Sequence, residues 1–266
     1  MRLLVSVRMA SEVAPALAGG ADILDAKEPN RGPLGTVSPD TLAQIFEQVP
    51  PEYPCSVALG DVTGPDEVLP VIPASRLLKR PSPVFLKLGF AGVRSPEMVS
   101  KVIECVVASV ARQPSARVVA VAYADAERAG TLDPMVLLEI AHRAGAHGVL
   151  MDTHTKDGLG LLGCFATGAL AKWVIAGRRL GLITALAGEL RASDLRAVRQ
   201  AGPDVIGVRG AACEGGREGR VSVERVRALR RRLGQGSPGH PGVGETRDGG
   251  AILPVWTGRK SLKVNA

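Results

Sequence analysis

Short runs of β-branched and apolar residues alternate with amphipathic stretches along most of the chain, the pattern of a parallel sheet with crossover helices. Eight such units can be counted. The strands are predicted at Leu3 to Val7, Ile23 to Lys27, Ser56 to Leu59, Val84 to Leu88, Val118 to Tyr123, Gly148 to Asp152, Ile183 to Ala187 and Val205 to Val208. Three helices carry clear starts, where a capping side chain stands next to a proline suited to the first turn. These are Ser38 and Pro39 before Thr41 to Val49, Ser95 and Pro96 before Glu97 to Arg112, and Asp133 and Pro134 before Met135 to Ala144. In the second, Met98, Val102 and Val106 form one apolar stripe with Val99, Ile103 and Val110 beside it, as a helix packed on a sheet requires. Glycines at Gly19 and Gly20, Gly145 and Gly202 end helices just before strands. The implied architecture is a single-domain α/β fold, a (β/α)8 barrel of the TIM type over residues 1–233.

From Gly234 the periodicity stops and the text turns rich in Gly and Pro, so 234–266 is expected to be a flexible tail with Ile252 to Trp256 as its one apolar run. The length of 266 residues suits such a barrel with little insertion. No stretch approaches the roughly 20 apolar residues that span a bilayer, and the N-terminus fits neither a secretory signal nor a transit peptide. A cytoplasmic protein without membrane partners is expected.

The charge of +7 and pI near 9.6 raise nucleic acid as a partner. The basic residues crowd one late segment, from Arg217 to Arg232, and two Trp, two Tyr and four Phe leave little for base stacking. A solvated basic helix accounts for them, without nucleic acid. Cys55, Cys105, Cys164 and Cys213 lie far apart with no CxxC pair, so buried free thiols are expected rather than zinc ligands or disulfides. His142, His147, His154 and His240 lack HExxH spacing, and no metal is expected. The first two of these histidines are read as surface residues, and His154 stands where it can touch a site. Gly158 to Gly163 match GxGxxG but follow the sixth strand instead of opening the first unit, so the match is set aside.

In a parallel barrel the active site lies at the carboxyl ends of the strands. Side chains alternate along a strand, so Asp25 and Lys27 share a face, and so do Phe85 and Lys87. The sixth strand ends in Asp152, with Lys156 in the loop beyond. A single lysine at a strand end reads as one that snorkels to solvent. Three from separate units, with two carboxylates, ask for a functional reason, because burying charge is costly. Crowding ammonium groups lowers their pKa, and a lysine that loses its proton near neutral pH attacks carbonyl carbon. Lys27 is the first candidate nucleophile, with a second lysine as general base and Asp152 and Lys156 orienting it or handling proton transfers. Phosphate recognition falls to the glycine-containing turns after the last two strands, at Gly188, Gly210 and Ala211, with Arg209 as a charged donor.

The motifs Asp25 to Pro29, Gly32 to Gly35, Gly60 to Val62, Lys87 to Gly89, Tyr123 to Asp125, Met151 to Thr153, Lys156 to Gly158, Thr184 to Gly188 and Val208 to Cys213 stand in one order. Together, over residues 1 to about 233, the chain resembles the (5-formylfuran-3-yl)methyl phosphate synthase family. That resemblance implies condensation of two glyceraldehyde 3-phosphate molecules, with loss of phosphate and water, to a furan phosphate used for methanofuran-type carriers. It implies Lys27 as the Schiff-base lysine and Lys87 as the proton acceptor, with Asp25, Asp152 and Lys156 in the site. The expected partner is a small phosphorylated aldehyde, with no metal or organic cofactor, in a homo-oligomer. A Schiff-base aldolase, a triose-phosphate isomerase-like enzyme and a non-catalytic phosphate- or nucleic-acid-binding barrel are the alternatives, since fold alone does not choose a reaction.

Overall fold

Eight parallel strands close on themselves in sequence order: β1 Arg2–Val7, β2 Ile23–Ala26, β3 Cys55–Asp61, β4 Val84–Gly89, β5 Ala116–Tyr123, β6 Gly148–Asp152, β7 Ile183–Leu186 and β8 Val205–Val208. β8 pairs with β1, which leaves the barrel sheet without an open edge. This computed structural model describes residues 1–68, 72 and 75–234. The expected tail beyond Gly234, with Ile252 to Trp256 and His240, lies outside the described residues, and Gly234 itself ends the last helix, Val223–Gly234.

All eight expected strands are present, with shifted ends. Lys27 lies one residue past β2, and β3 runs on to Asp61 through an irregular register with β4. The three capped helices are Pro39–Gln48, Pro96–Val110 and Pro134–Arg143, and Ser38, Ser95 and Asp133 each accept a backbone N–H of the first turn. Each helix begins at the proline itself, whose fixed φ already suits the turn.

Alternation along the strands produces two apolar layers. Leu3, Val5 and Val7, Leu24 and Ala26, Leu86 and Leu88, and Val118, Ala120 and Ala122 face the helices in one large cluster. Inside the barrel a smaller cluster holds Ala58, Val119, Val121, Tyr123 and Leu150. The stripe expected on Pro96–Val110 needs one correction. Val99, Val102, Ile103, Val106 and Val110 are buried, but Met98 is exposed, because at about 100° per residue it lies at the edge of the arc those five positions define.

The basic segment turns largely onto the chain itself. Arg230 pairs with Asp22 at 2.7 Å, while Arg227 and Arg232 donate to the carbonyls of Ala18 and Ala192. All four cysteines are free, but only Cys55 and Cys213 are buried, and Cys105 and Cys164 are half-buried. His142 is exposed as expected. His147 is half-buried, its Nδ1 accepting the Val118 N–H, and burial holds its pKa below the usual imidazole value. Among the described residues no helix is long and apolar enough to cross a membrane.

Candidate active site

The lumen of the barrel opens at the carboxyl ends of the strands into a cavity of about 410 Å³. Asp25 and Lys27, Lys87, Asp152 and Lys156 all line it, as do Gly188, Arg209, Gly210 and Ala211. The nine residues singled out from the sequence therefore share one chamber.

Two carboxylates organise the three amines. Lys87 Nζ lies 2.7 Å from Asp25 Oδ1, and the Ser6 hydroxyl donates to the other oxygen at 2.8 Å. The pair is almost fully sealed from solvent, and the two ammonium neighbours Lys87 and Lys27 hold the Asp25 carboxyl below the usual range against the opposing effect of burial. Asp152 serves two amines. Lys156 Nζ sits 2.8 Å from its Oδ1 and also donates to the Thr153 carbonyl and hydroxyl, so its three donors are satisfied. Lys27 Nζ approaches Asp152 Oδ2 only to 3.9 Å and has no hydrogen-bond acceptor among the described residues. Burial works to raise the Asp152 pKa, but Lys156 and Lys27 outweigh it and bring it to about 2.

Burial also acts most strongly on Lys27, whose pKa falls from 10.5 to about 8. Asp152 and Asp25 oppose the fall, and Lys87 and Lys156 assist it. The expectation that mutual repulsion frees the amine is thus corrected in its ordering. Removal from water is the leading cause, and crowding comes second, because each neighbouring cation brings a neutralising carboxylate with it.

Arg209 requires a second correction. Its Nε donates to the Arg217 carbonyl, one Nη to Ser6 O and Glu12 Oε2, and the other to Glu12 Oε1 and Gly219 O. Those bonds occupy all five N–H groups, so the guanidinium has none left for a phosphate. It is a buried strut that ties the β8 turn to β1. The N–H groups of Gly188, Gly210 and Ala211 have no acceptor among the described residues. Gly188 needs its own residue type, since its φ of +101° is left-handed and a Cβ would meet Thr153 N at 3.0 Å. Two arginines without a place in the sequence-based site also reach the chamber: Arg217, which donates to Pro29 O and Gly32 O across the mouth, and exposed Arg225.

Other supports were missed as well. The Tyr123 hydroxyl donates to Asp61 Oδ1 at 2.7 Å, and burial, with Asp61 beside it, raises the phenol pKa well above its ordinary value. The Asp125 carboxylate accepts the N–H groups of His154 and Thr155 and so pins the β6 loop that carries Lys156. His154 packs edge-on against Tyr123 and does not line the chamber. Gly60 to Val62 and Tyr123 to Asp125 stood out as motifs, but nothing in spacing alone pairs Tyr123 with Asp61. Among the described residues no three His, Cys, Asp or Glu side chains come together as a metal site.

Among solved structures, phosphoribosyl anthranilate isomerase from Thermus thermophilus aligns with 88% of this chain and 98% of its own, at TM-score 0.56 and 19% identity. KGPDC from Streptococcus mutans aligns with 88% and 97%, at TM-score 0.56 and 13% identity. At such identities these establish the TIM-barrel fold. Sequence relatives go further. The (5-formylfuran-3-yl)methyl phosphate synthase of Methanothermobacter thermautotrophicus is 36% identical over 235 residues, covering 88% of this chain and 99% of the relative. The synthases of Methanopyrus kandleri and Methanocaldococcus jannaschii are 37% and 34% identical, covering 84% and 86% of this chain and 93% and 98% of their own. A family model for 4-HFC-P synthase matches residues 3–230, and the chain belongs to that family, the (5-formylfuran-3-yl)methyl phosphate synthases.

Proposed function

We propose that the chain condenses two molecules of glyceraldehyde 3-phosphate, through a Schiff base on Lys27, to (5-formylfuran-3-yl)methyl phosphate. Atom balance then requires release of one phosphate and two molecules of water. The observation that carries this reading is the state of Lys27: a sealed amine with a pKa of about 8 and no hydrogen bond to break before it attacks. At pH 7 about one such lysine in ten is neutral, against about one in three thousand for an ordinary lysine. The attack forms a carbinolamine, and loss of water gives an iminium that acidifies the adjacent carbon.

Lys87, which Asp25 holds in place at 2.7 Å, first gives its proton to the hydroxyl that leaves as water and then, as a neutral amine, takes and returns the proton at that carbon. Lys156 exchanges one of the bonds it makes to Asp152 and Thr153 for the departing oxygen and supplies its proton there. The free N–H groups of Gly188, Gly210 and Ala211 cradle a substrate phosphate. Arg225 and the remaining donors of Arg217 replace Arg209 as its charged partners.

Borohydride reduction in the presence of glyceraldehyde 3-phosphate, followed by peptide mass mapping, tests the reading. The reduced adduct is expected on the peptide containing Lys27, with an ultraviolet-absorbing furan in the unreduced reaction. An adduct confined to Lys87 or Lys156 overturns the assignment, and a sugar phosphate in place of the furan makes the enzyme an aldolase.

A further inference from the structure

Below the amines the chamber continues down the barrel between apolar side chains, among them Leu4, Ile23, Phe85, Val119, Leu150 and Val205. One polar group interrupts this wall. Ser56 lies on β3 in register with Asp25 on β2 and Phe85 on β4, two residues below Ala58, which is in register with Lys87. Its side chain is fully buried and lines the chamber, and its Oγ has no hydrogen-bond partner among the described residues.

A buried hydroxyl without a partner is destabilising, so its place on the lumen face needs a reason. Ser6, the neighbouring serine on that face, spends its hydroxyl on Asp25. Alanine at position 56 would fill the same strand without the cost. The neighbouring Asp25 Oδ1, although Lys87 lies 2.7 Å away, also has no hydrogen-bond partner among the described residues, so a group that both donates and accepts, a hydroxyl or a water, would satisfy the two together. A hydroxyl on a carbon skeleton is better suited, because the apolar wall holds the carbons while Ser56 meets the oxygen.

We propose that Ser56 is a substrate-binding residue that hydrogen-bonds a hydroxyl of the phosphorylated aldehyde in the lower chamber and so selects hydroxylated over deoxygenated substrates. This rests on the Schiff-base reading, because attachment at Lys27 is what presents the adjacent carbon to the chamber.

The test compares glyceraldehyde 3-phosphate with 3-oxopropyl phosphate, which lacks the hydroxyl next to the aldehyde. Adduct formed under borohydride is followed by intact mass as a function of aldehyde concentration. The wild-type protein is expected to favour the hydroxylated aldehyde about tenfold. In Ser56→Ala that ratio falls to about one through loss of the hydroxylated aldehyde alone, with Tm unchanged or raised. Ser56→Cys, close in volume and a weak hydrogen-bonder, is expected to lie between and serves if the alanine variant fails to fold. A ratio unchanged in both variants, or equal weakening of both aldehydes, overturns the proposal in favour of a bound water or a packing role. Absence of any wild-type adduct defeats the Schiff-base reading itself, a separate outcome.

Discussion

Lys27 faces Asp152 across 3.9 Å, outside hydrogen-bonding range, while Lys156 holds the other oxygen of the same carboxylate at 2.8 Å. The shared carboxylate neutralises the neighbourhood without tying down the amine that has to react. Burial brings the Lys27 pKa down to about 8 against the raising effect of that carboxylate. Only the neutral amine attacks, so the rate of borohydride-trapped adduct formation is expected to rise about tenfold per pH unit below 7 and to level off above about pH 8. A rate still climbing at pH 10 would mean that Lys27 keeps an ordinary ammonium pKa.

Asp152 raises the pKa of Lys27, so Asp152→Asn should lower it and move the ascending limb of the trapping profile to more acid pH. The same variant leaves Lys27 and Lys156 without their common counter-charge, and a loss of about 3–5 kcal/mol in stability is expected at neutral pH. The acid side gives a second check. The folded-state pKa of Asp152 is depressed to about 2, so its contribution is complete above the unfolded value near 4 and vanishes as pH falls from 4 to 2. Denaturant titrations of the two proteins should converge over that window. A limb that stays in place on the trapping profile would separate Asp152 from Lys27.

Lys87→Arg keeps the charge beside Asp25, so the melting temperature should change little, while turnover to the furan falls by two or more orders of magnitude. A guanidinium does not act as a proton acceptor near neutral pH. Lys87→Ala, by contrast, leaves a sealed carboxylate with Ser6 as its remaining hydrogen-bond donor and should destabilise the fold. Near-normal furan production by the arginine variant would remove Lys87 from proton transfer.

Much of this site was legible in the sequence because a strand has a period of two. Asp25 and Lys27 share a parity, Lys87 repeats the device two strands on, and Asp152 ends β6, so three separate units declared the same lumen. Partner choice was not legible. Arg209 stands where a phosphate donor is wanted, but its bonds run to Glu12 and Ser6, far back along the chain, and no local pattern announces a contact of that range. Ser56 reads like any serine in an apolar strand until its neighbours are known. The balance between burial and repulsion at Lys27 likewise depends on how completely the barrel closes over it.

Arg209 and Arg225 both border the chamber, and the hydrogen bonds assign them different roles. Arg209 spends five donors on protein oxygens, two of them on a buried carboxylate, so Arg209→Lys breaks the fork that a linear ammonium cannot reproduce. A fall of several degrees in melting temperature is expected. Arg225 is exposed, with no ion pair among the described residues, and Arg225→Ala should leave the melting temperature unaltered. Its loss should instead raise KM for glyceraldehyde 3-phosphate by about tenfold with a smaller change in kcat, because a charged hydrogen bond to phosphate is removed from ground state and transition state alike. Raising ionic strength should shrink the difference between wild type and Arg225→Ala, since an exposed charge is screened over about 10 Å at 0.1 M salt. If Arg209→Lys raises KM without lowering Tm while Arg225→Ala does neither, the phosphate lies at Arg209 after all, and the protein contacts drawn around that guanidinium give way when substrate binds.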